Sequence, residues 1–176
     1  SLLPHPVQME DVSLIHEEHL GRVIGLLRAS YNILIFDLSK RFTPTDMTAM
    51  RMSDVVLLVS QLDLTSLRNA KNIVDLLQQV RRNDSKPRLV MNMVNMPKRP
   101  EISVKEFESA IGLKAISVID FDSETFGQAA NNGQMIEELN AKARSAAAFR
   151  DIALSISNRR DTQSTKKASG LAPFLE

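Results

Sequence analysis

The sequence contains neither cysteine nor tryptophan. Without thiols there is no disulfide staple, no thiolate nucleophile and no Cys-ligated zinc or iron–sulfur centre. An excess of one charge is missing too, since 22 lysines and arginines stand against 21 aspartates and glutamates. A body this close to neutral lacks the broad basic footprint of a nucleic-acid binder, so nucleic acid is not expected as a partner. The apolar runs at 33–38, 55–59 and 88–94 all fall far short of the ~18 residues of a membrane span. Near the end, Ala172-Pro173-Phe174-Leu175 is too short for an amphipathic targeting helix, and no direct membrane anchor is expected. No arginine-rich presequence or signal peptide opens the chain, which makes the cytoplasm the expected compartment.

What remains is the composition of a globular protein, with 176 residues, 43% hydrophobic and 24% charged. A single domain of that length buries roughly 70% of its extended surface without help from a metal. Leu14, Leu20, Val23, Ile24 and Leu27 recur at helical spacing from Asp11 to about Ala29. The period then changes: Asn32-Ile33-Leu34-Ile35-Phe36-Asp37 predicts a strand covered on both faces, with Asp37 at its carboxyl end. Thr43-Pro44 predicts a helix start, running to Met52. Val55–Val59 predicts a second buried strand, and Thr65 or Ser66 a cap for a long helix ending at Val80.

Arg88–Val94 predicts the third strand, Ser103 with Glu106 a capping box before a helix that ends at Gly112, and Ala115–Ile119 a fourth, short strand. Helical stretches are predicted over 124–130 and 141–157, separated by Asn131-Asn132-Gly133. Strand and helix alternate at βα-unit spacing, so the fold class is α/β, a mostly parallel sheet flanked by helices. The Arg, Lys, Ser and Thr tail over 159–176 has little to bury and is expected to be disordered.

Ligands of an open parallel sheet bind beyond the carboxyl ends of its strands. The polar residues there are Asp37, the 61–63 segment and the 92–95 segment. Asp37 follows four apolar residues, the form of a strand whose carboxylate holds magnesium beside phosphates, and equally of a strand-end aspartate that caps a loop. Asn92 and Asn95 carry amides that suit either a purine edge or loop-closing backbone hydrogen bonds. In His16-Glu17-Glu18-His19 the histidines are three apart where a zinc peptidase helix needs four, and a solvated turn is the better reading. Met91, Met93 and Met96 read as core filling. Arg81, Arg82, Lys86 and Arg88 cluster at the far end of the sheet, while Lys40-Arg41 and Lys98-Arg99 lie on the site side; solvated loops explain all three, and the latter two pairs also suit a phosphate or acidic partner.

Taken together, Tyr31–Leu38, Ser53–Val59, Gln61–Lys71, Asn92-Met93-Val94-Asn95, the helix from Ile102 to Ile111 and Gln128–Gly133 resemble the ParA/MinD group of deviant Walker ATPases. Within that group the chain is most similar to the CpaE/TadZ proteins of type IV (Flp/Tad) pilus assembly, chiefly over 61–71. The resemblance implies a P-loop NTPase-like fold, with Asp37 as the Walker B aspartate that holds Mg2+. It puts Asn92 near the adenine of ATP, and Asp120 and Asp122 in the loop that passes the base on its other side. It implies that the segment after Val59 shapes the face across which two copies sandwich ATP, and that the homodimer marks a cell pole or assembly site for pilus or secretion proteins.

The glycine-rich phosphate loop with its GK[ST] ending does not occur in these residues and is expected before residue 1. Residues 1–158 then form the carboxy-terminal part of the ATPase domain, unable to hydrolyse ATP alone, because phosphoryl transfer depends on that loop's positioning and charge. Ser39-Lys40 follows Asp37-Leu38 where many relatives have proline, a departure in the loop. A nucleotide-independent scaffold that recruits assembly partners is the alternative, and a partition-type ATPase the third reading.

Overall fold

The computed structural model describes residues 17–38, 42–82 and 84–157. The chain divides into two compact units, Ser1–Asp54 and Val55–Glu176.

In the first unit, helix α1 (Glu17–Ser30) packs against α2 (Pro44–Met52). The predicted start of α2 is met in detail: the Thr43 hydroxyl accepts from the Asp46 amide, Asp46 accepts from the Thr43 amide, and Pro44 fills the first turn. Arg28 reaches Asp54 at 3.2 Å, and Thr48 donates to Glu17 at 2.8 Å. The expected strand over 32–37 is corrected. Residues 33–38 form no ladder, and Ile33 and Ile35 are 61% and 89% exposed. An apolar run becomes a covered strand only where a neighbouring strand takes its N–H and C=O groups. The described residues of this unit include no such neighbour.

The second unit is built on strands β1 (Leu57–Ser60), β2 (Arg88–Val94) and β3 (Ala115–Asp120), parallel and adjacent in that order. Helix α3 (Leu64–Val80) joins β1 to β2, and α4 (Val104–Ile111) joins β2 to β3; α5 (Ser123–Asn132), α6 (Ile136–Leu139) and α7 (Arg144–Ile156) follow. The α/β fold with a parallel sheet flanked by helices is the expected one.

The side-chain alternation of β2 places this strand in the middle of the fold. Leu89 and Met91 enter a cluster with Leu58, Val74, Phe107 and Ile111, beneath α3 and α4. Val90 points the other way, to Ile119 and Ala148, with Phe126 and Ile152 packed against them. The second predicted strand begins two residues late and is covered on one face only: Leu58 enters the core, while Leu57 and Val59 are exposed on the other face.

Helix ends follow the expected chemistry with one correction. Ser103 and Glu106 form the capping box, and Gly112 closes α4 at φ +68°, a left-handed position that favours glycine. The cap of α3, however, is Asp63 and not Thr65 or Ser66: its Oδ1 accepts from the Ser66 amide at 2.7 Å and its Oδ2 from the Ser66 hydroxyl at 3.0 Å. A carboxylate is as strong a cap as a hydroxyl and also favours the helix dipole. Among the described residues no helix is long and apolar enough to cross a membrane. The tail over 159–176 lies outside the described residues.

Candidate functional site

The β2–β3 register is irregular at two places, between Leu89 and Val90 and again at the carboxyl end of β2. The β2–β3 register shifts between Met91 and Val94, and Met93 and Asn95 both adopt left-handed backbone, at φ 55° and 61°. Asparagine tolerates that region and methionine does not, so the turn persists only because its surroundings hold it. Asn92 contributes through its Oδ1, which accepts from the Met93 amide at 2.9 Å. Its Nδ2 has no partner among the described residues and is left as a donor.

Two charged residues from the following loop grip this turn. Arg99 donates to the Met93 carbonyl at 2.8 Å, to Gln61 Oε1 at 2.6 Å and to Glu101 Oε1 at 2.8 Å. Glu101 accepts from the amides of Asn95 and Met96, at 3.0 and 3.2 Å. Gln61, one residue past β1, also donates to the Met93 sulfur at 3.2 Å. The ends of β1 and β2 are thereby tied together. The Arg99 and Glu101 side chains are 22% and 15% exposed, so the pair is shielded from much of the solvent screening that weakens surface ion pairs.

The tie extends to β3. Asn95 Nδ2 donates to Asp120 Oδ1 at 2.9 Å, and the Phe121 amide to the Val94 carbonyl at 2.8 Å. Asp120 Oδ2 has no partner among the described residues. Asp122 caps α5, its Oδ1 accepting from the Thr125 amide at 2.9 Å.

These contacts set the electrostatics. The Arg99 guanidinium, bonded to Glu101, holds its carboxyl below the ordinary glutamate range, aided by the Asn95 and Met96 amides and opposed by burial. The Ser66 amide does the same for Asp63, against a burial contribution and with help from the Ser66 hydroxyl and the charge of Arg99. Asp122 is lowered by the hydroxyl and amide of Thr125.

Of the residues singled out from the sequence, Asn92, Asp120 and Asp122 thus gather at the carboxyl ends of β2 and β3. Asp37 belongs to the first unit, where it is exposed near the end of the unpaired segment. Among the described residues no group of three acidic or histidine side chains is placed to hold a metal ion. His16, Lys40 and Arg41 lie outside the described residues. At the other end of the sheet Arg88 bonds the carbonyl and hydroxyl of Ser155, and Arg81 pairs with Asp84 at 2.7 Å.

Sequence reasoning missed Glu101, and it placed Gln61 and Arg99 on the site side without the role they take. Lys98-Arg99 reads as a solvated pair or as one that meets a phosphate or acidic partner; Lys98 is exposed, but Arg99 turns back under the loop onto Glu101. The available signal was the opposite charge two residues on at Glu101, beside a strand end rich in asparagine.

No model of a known protein family matches the chain. It is 24% identical over 149 residues to the septum site-determining protein MinD of Bacillus subtilis (strain 168), across 83% of this chain and 54% of that protein. Among solved structures it is similar to a ParA family ATPase from Chlorobium tepidum TLS, with TM-score 0.77 and 22% identity over 86% of this chain and 62% of that one. It is similar also to the Pyrococcus furiosus cell division ATPase MinD, with TM-score 0.73 and 20% identity over 87% of this chain and 63% of that one. The MinD cell division protein of Aquifex aeolicus gives TM-score 0.66 and 18% identity over 92% and 64%. The chain spans about half the length of the curated relative it matches. These likenesses establish the fold, which is that of the ParA and MinD ATPases.

Proposed function

We propose that residues 1–158 are the carboxy-terminal part of a ParA/MinD-type ATPase domain, and that the whole protein is an ATP-dependent, dimeric positioning factor. The observation that carries this is the amide and carboxylate cluster of Asn92, Asn95 and Asp120 at the carboxyl ends of β2 and β3, the edge where parallel sheets receive ligands. The groups present fit a nucleobase: the free Asn92 Nδ2 is a donor, and the free Asp120 Oδ2 an acceptor for an exocyclic amine. In this reading Asp122 lies beside the base, and Asp37 holds Mg2+ directly or through water. A lone exposed carboxylate suits that ion, which binds through one or two carboxylates plus substrate phosphates. Bound Mg-ATP would supply the phosphoanhydride chemistry, gripped by a phosphate loop outside these 176 residues.

Positioning is supported by the relative in Bacillus subtilis, a septum site-determining protein, and recruitment of partners by a solved MinC:MinD cell division complex from Aquifex aeolicus. Within this reading the Gln61–Lys71 segment favours the CpaE/TadZ branch, with pilus (Flp/Tad) or secretion proteins as partners. The homodimer is then cytoplasmic and reaches a cell pole or the inner membrane face through them. The second reading, a nucleotide-independent scaffold, is favoured by the internal use of this edge, where Asp63 and Asp122 cap helices and Asn92 Oδ1 holds the backbone.

Calorimetric titration of Mg-ATP into the full-length protein separates the two. Saturable binding that weakens at least tenfold in Asp37→Ala supports the ATPase, since loss of one charge-assisted contact is worth about that factor. A folded protein that takes up no Mg-ATP sinks it in favour of the scaffold.

A further inference from the structure

We infer that Arg99 is the positioning residue of the base-binding edge, acting through Glu101 and Asn95 to set the base preference of the site. The inference rests on the nucleotide reading above and names the residue on which its selectivity depends.

The geometry that points to Arg99 is a clamp with two jaws. Its guanidinium takes the carbonyl of Met93, and its salt-bridge partner Glu101 takes the amides of Asn95 and Met96. The left-handed turn at Met93 and Asn95 is therefore held from both its acceptor and its donor side, which is what a strained turn requires. Asn95 projects from the clamped turn to Asp120 Oδ1, so the orientation of the Asp120 carboxylate depends on the clamp. The Asn92 amide sits at the start of the same turn, its Oδ1 tied to the Met93 amide. Both free groups of the proposed edge, Asn92 Nδ2 and Asp120 Oδ2, are thus oriented by backbone that Arg99 holds, and Arg99 itself reaches neither of them.

Lysine cannot replace this arrangement. Three bonds leave the Arg99 guanidinium in a planar fork, to Gln61, Met93 and Glu101, whereas an ammonium offers a point charge on a flexible stem. The Arg99 Nε is buried without a hydrogen-bond partner among the described residues.

The test compares Arg99→Met and Arg99→Lys with the wild type in the full-length protein, titrating Mg-ATP, Mg-GTP and inorganic tripolyphosphate, with thermal unfolding alongside. The expected result is a wild type that distinguishes ATP from GTP. In both variants that ratio falls about tenfold while tripolyphosphate affinity is unchanged, the loss expected when a buried polar contact to a base is misplaced. Global destabilisation would weaken all three ligands together and leave the ratio intact. An unchanged ATP to GTP ratio in Arg99→Met, or full rescue by Arg99→Lys, overturns the role of the fork while leaving the nucleotide reading standing. A folded wild type that binds none of the three overturns both.

Discussion

Asn95 Nδ2 and Asp120 Oδ1, 25 residues apart in sequence, meet at 2.9 Å and join the carboxyl ends of two parallel strands. The bond is exposed and its net contribution is about 1 kcal/mol. Its interest lies in the backbone beneath it, which is left-handed at Asn95.

That backbone yields a first prediction. Asn95→Gly and Asn95→Ala both delete the bond, but only alanine meets the steric penalty of positive φ. Urea unfolding is expected to show the glycine variant more stable than the alanine variant by about 1 kcal/mol. Equal stabilities would mean that the turn relaxes once the side chain is gone.

Glu101 predicts an acid-sensitive clamp. Its folded-state pKa is depressed below the ordinary 4.5 by Arg99, so the unfolded chain binds more protons as the pH falls. The contribution to stability is fully present above that ordinary value and is lost as pH falls through the folded value. Glu101→Gln should be less stable than the wild type at pH 7 and converge toward it as pH falls through the folded value. Stability curves taken at a series of pH values check the convergence.

A third prediction separates cap from charge at Asp63. Asn is as good an N-cap as Asp, so Asp63→Asn keeps the bond to the Ser66 amide and Asp63→Ala loses it. The alanine variant should be less stable by about 1 kcal/mol, and the asparagine variant should fall between it and the wild type, since it keeps the amide bond but loses the charge that Ser66 and Arg99 favour, in denaturant titrations.

Phe107 is fully buried among the β2 and α3 side chains. Phe107→Ala is expected to lower the unfolding free energy by about 3–5 kcal/mol, and Phe107→Leu by less, because the smaller void is easier to close.

Legibility followed the kind of signal involved. Local chemistry was readable: Thr43-Pro44, Ser103 with Glu106, and Gly112 gave helix ends that the structure places as expected. Arg88–Val94 was readable because a central strand is apolar on both sides, as Leu89, Val90 and Met91 show. The 32–37 run has the same pattern yet forms no ladder, since composition records what a segment could bury and not whether a neighbour is there to pair with it. The four residues of α6 carried no periodic signal and went unread. At the site, the strand-end asparagines were visible from position alone. Arg99 was placed on that side too, but its clamping role was not legible, because a long cationic side chain reads as facing solvent or a ligand until the fold shows which carbonyl it reaches.

The shifted register near the end of β2 has a consequence for motion. Over Leu89–Met91 the strand is paired on both sides and buried, so its amides should exchange with deuterium only on global unfolding. Two residues later Met93 has no register partner on either neighbouring strand, and its amide is bonded to the side chain of Asn92. Opening at this point leaves the core closed. One strand thus carries a slow clock and a fast one, and the polar edge of the sheet can breathe on its own timescale without loosening the fold that supports it.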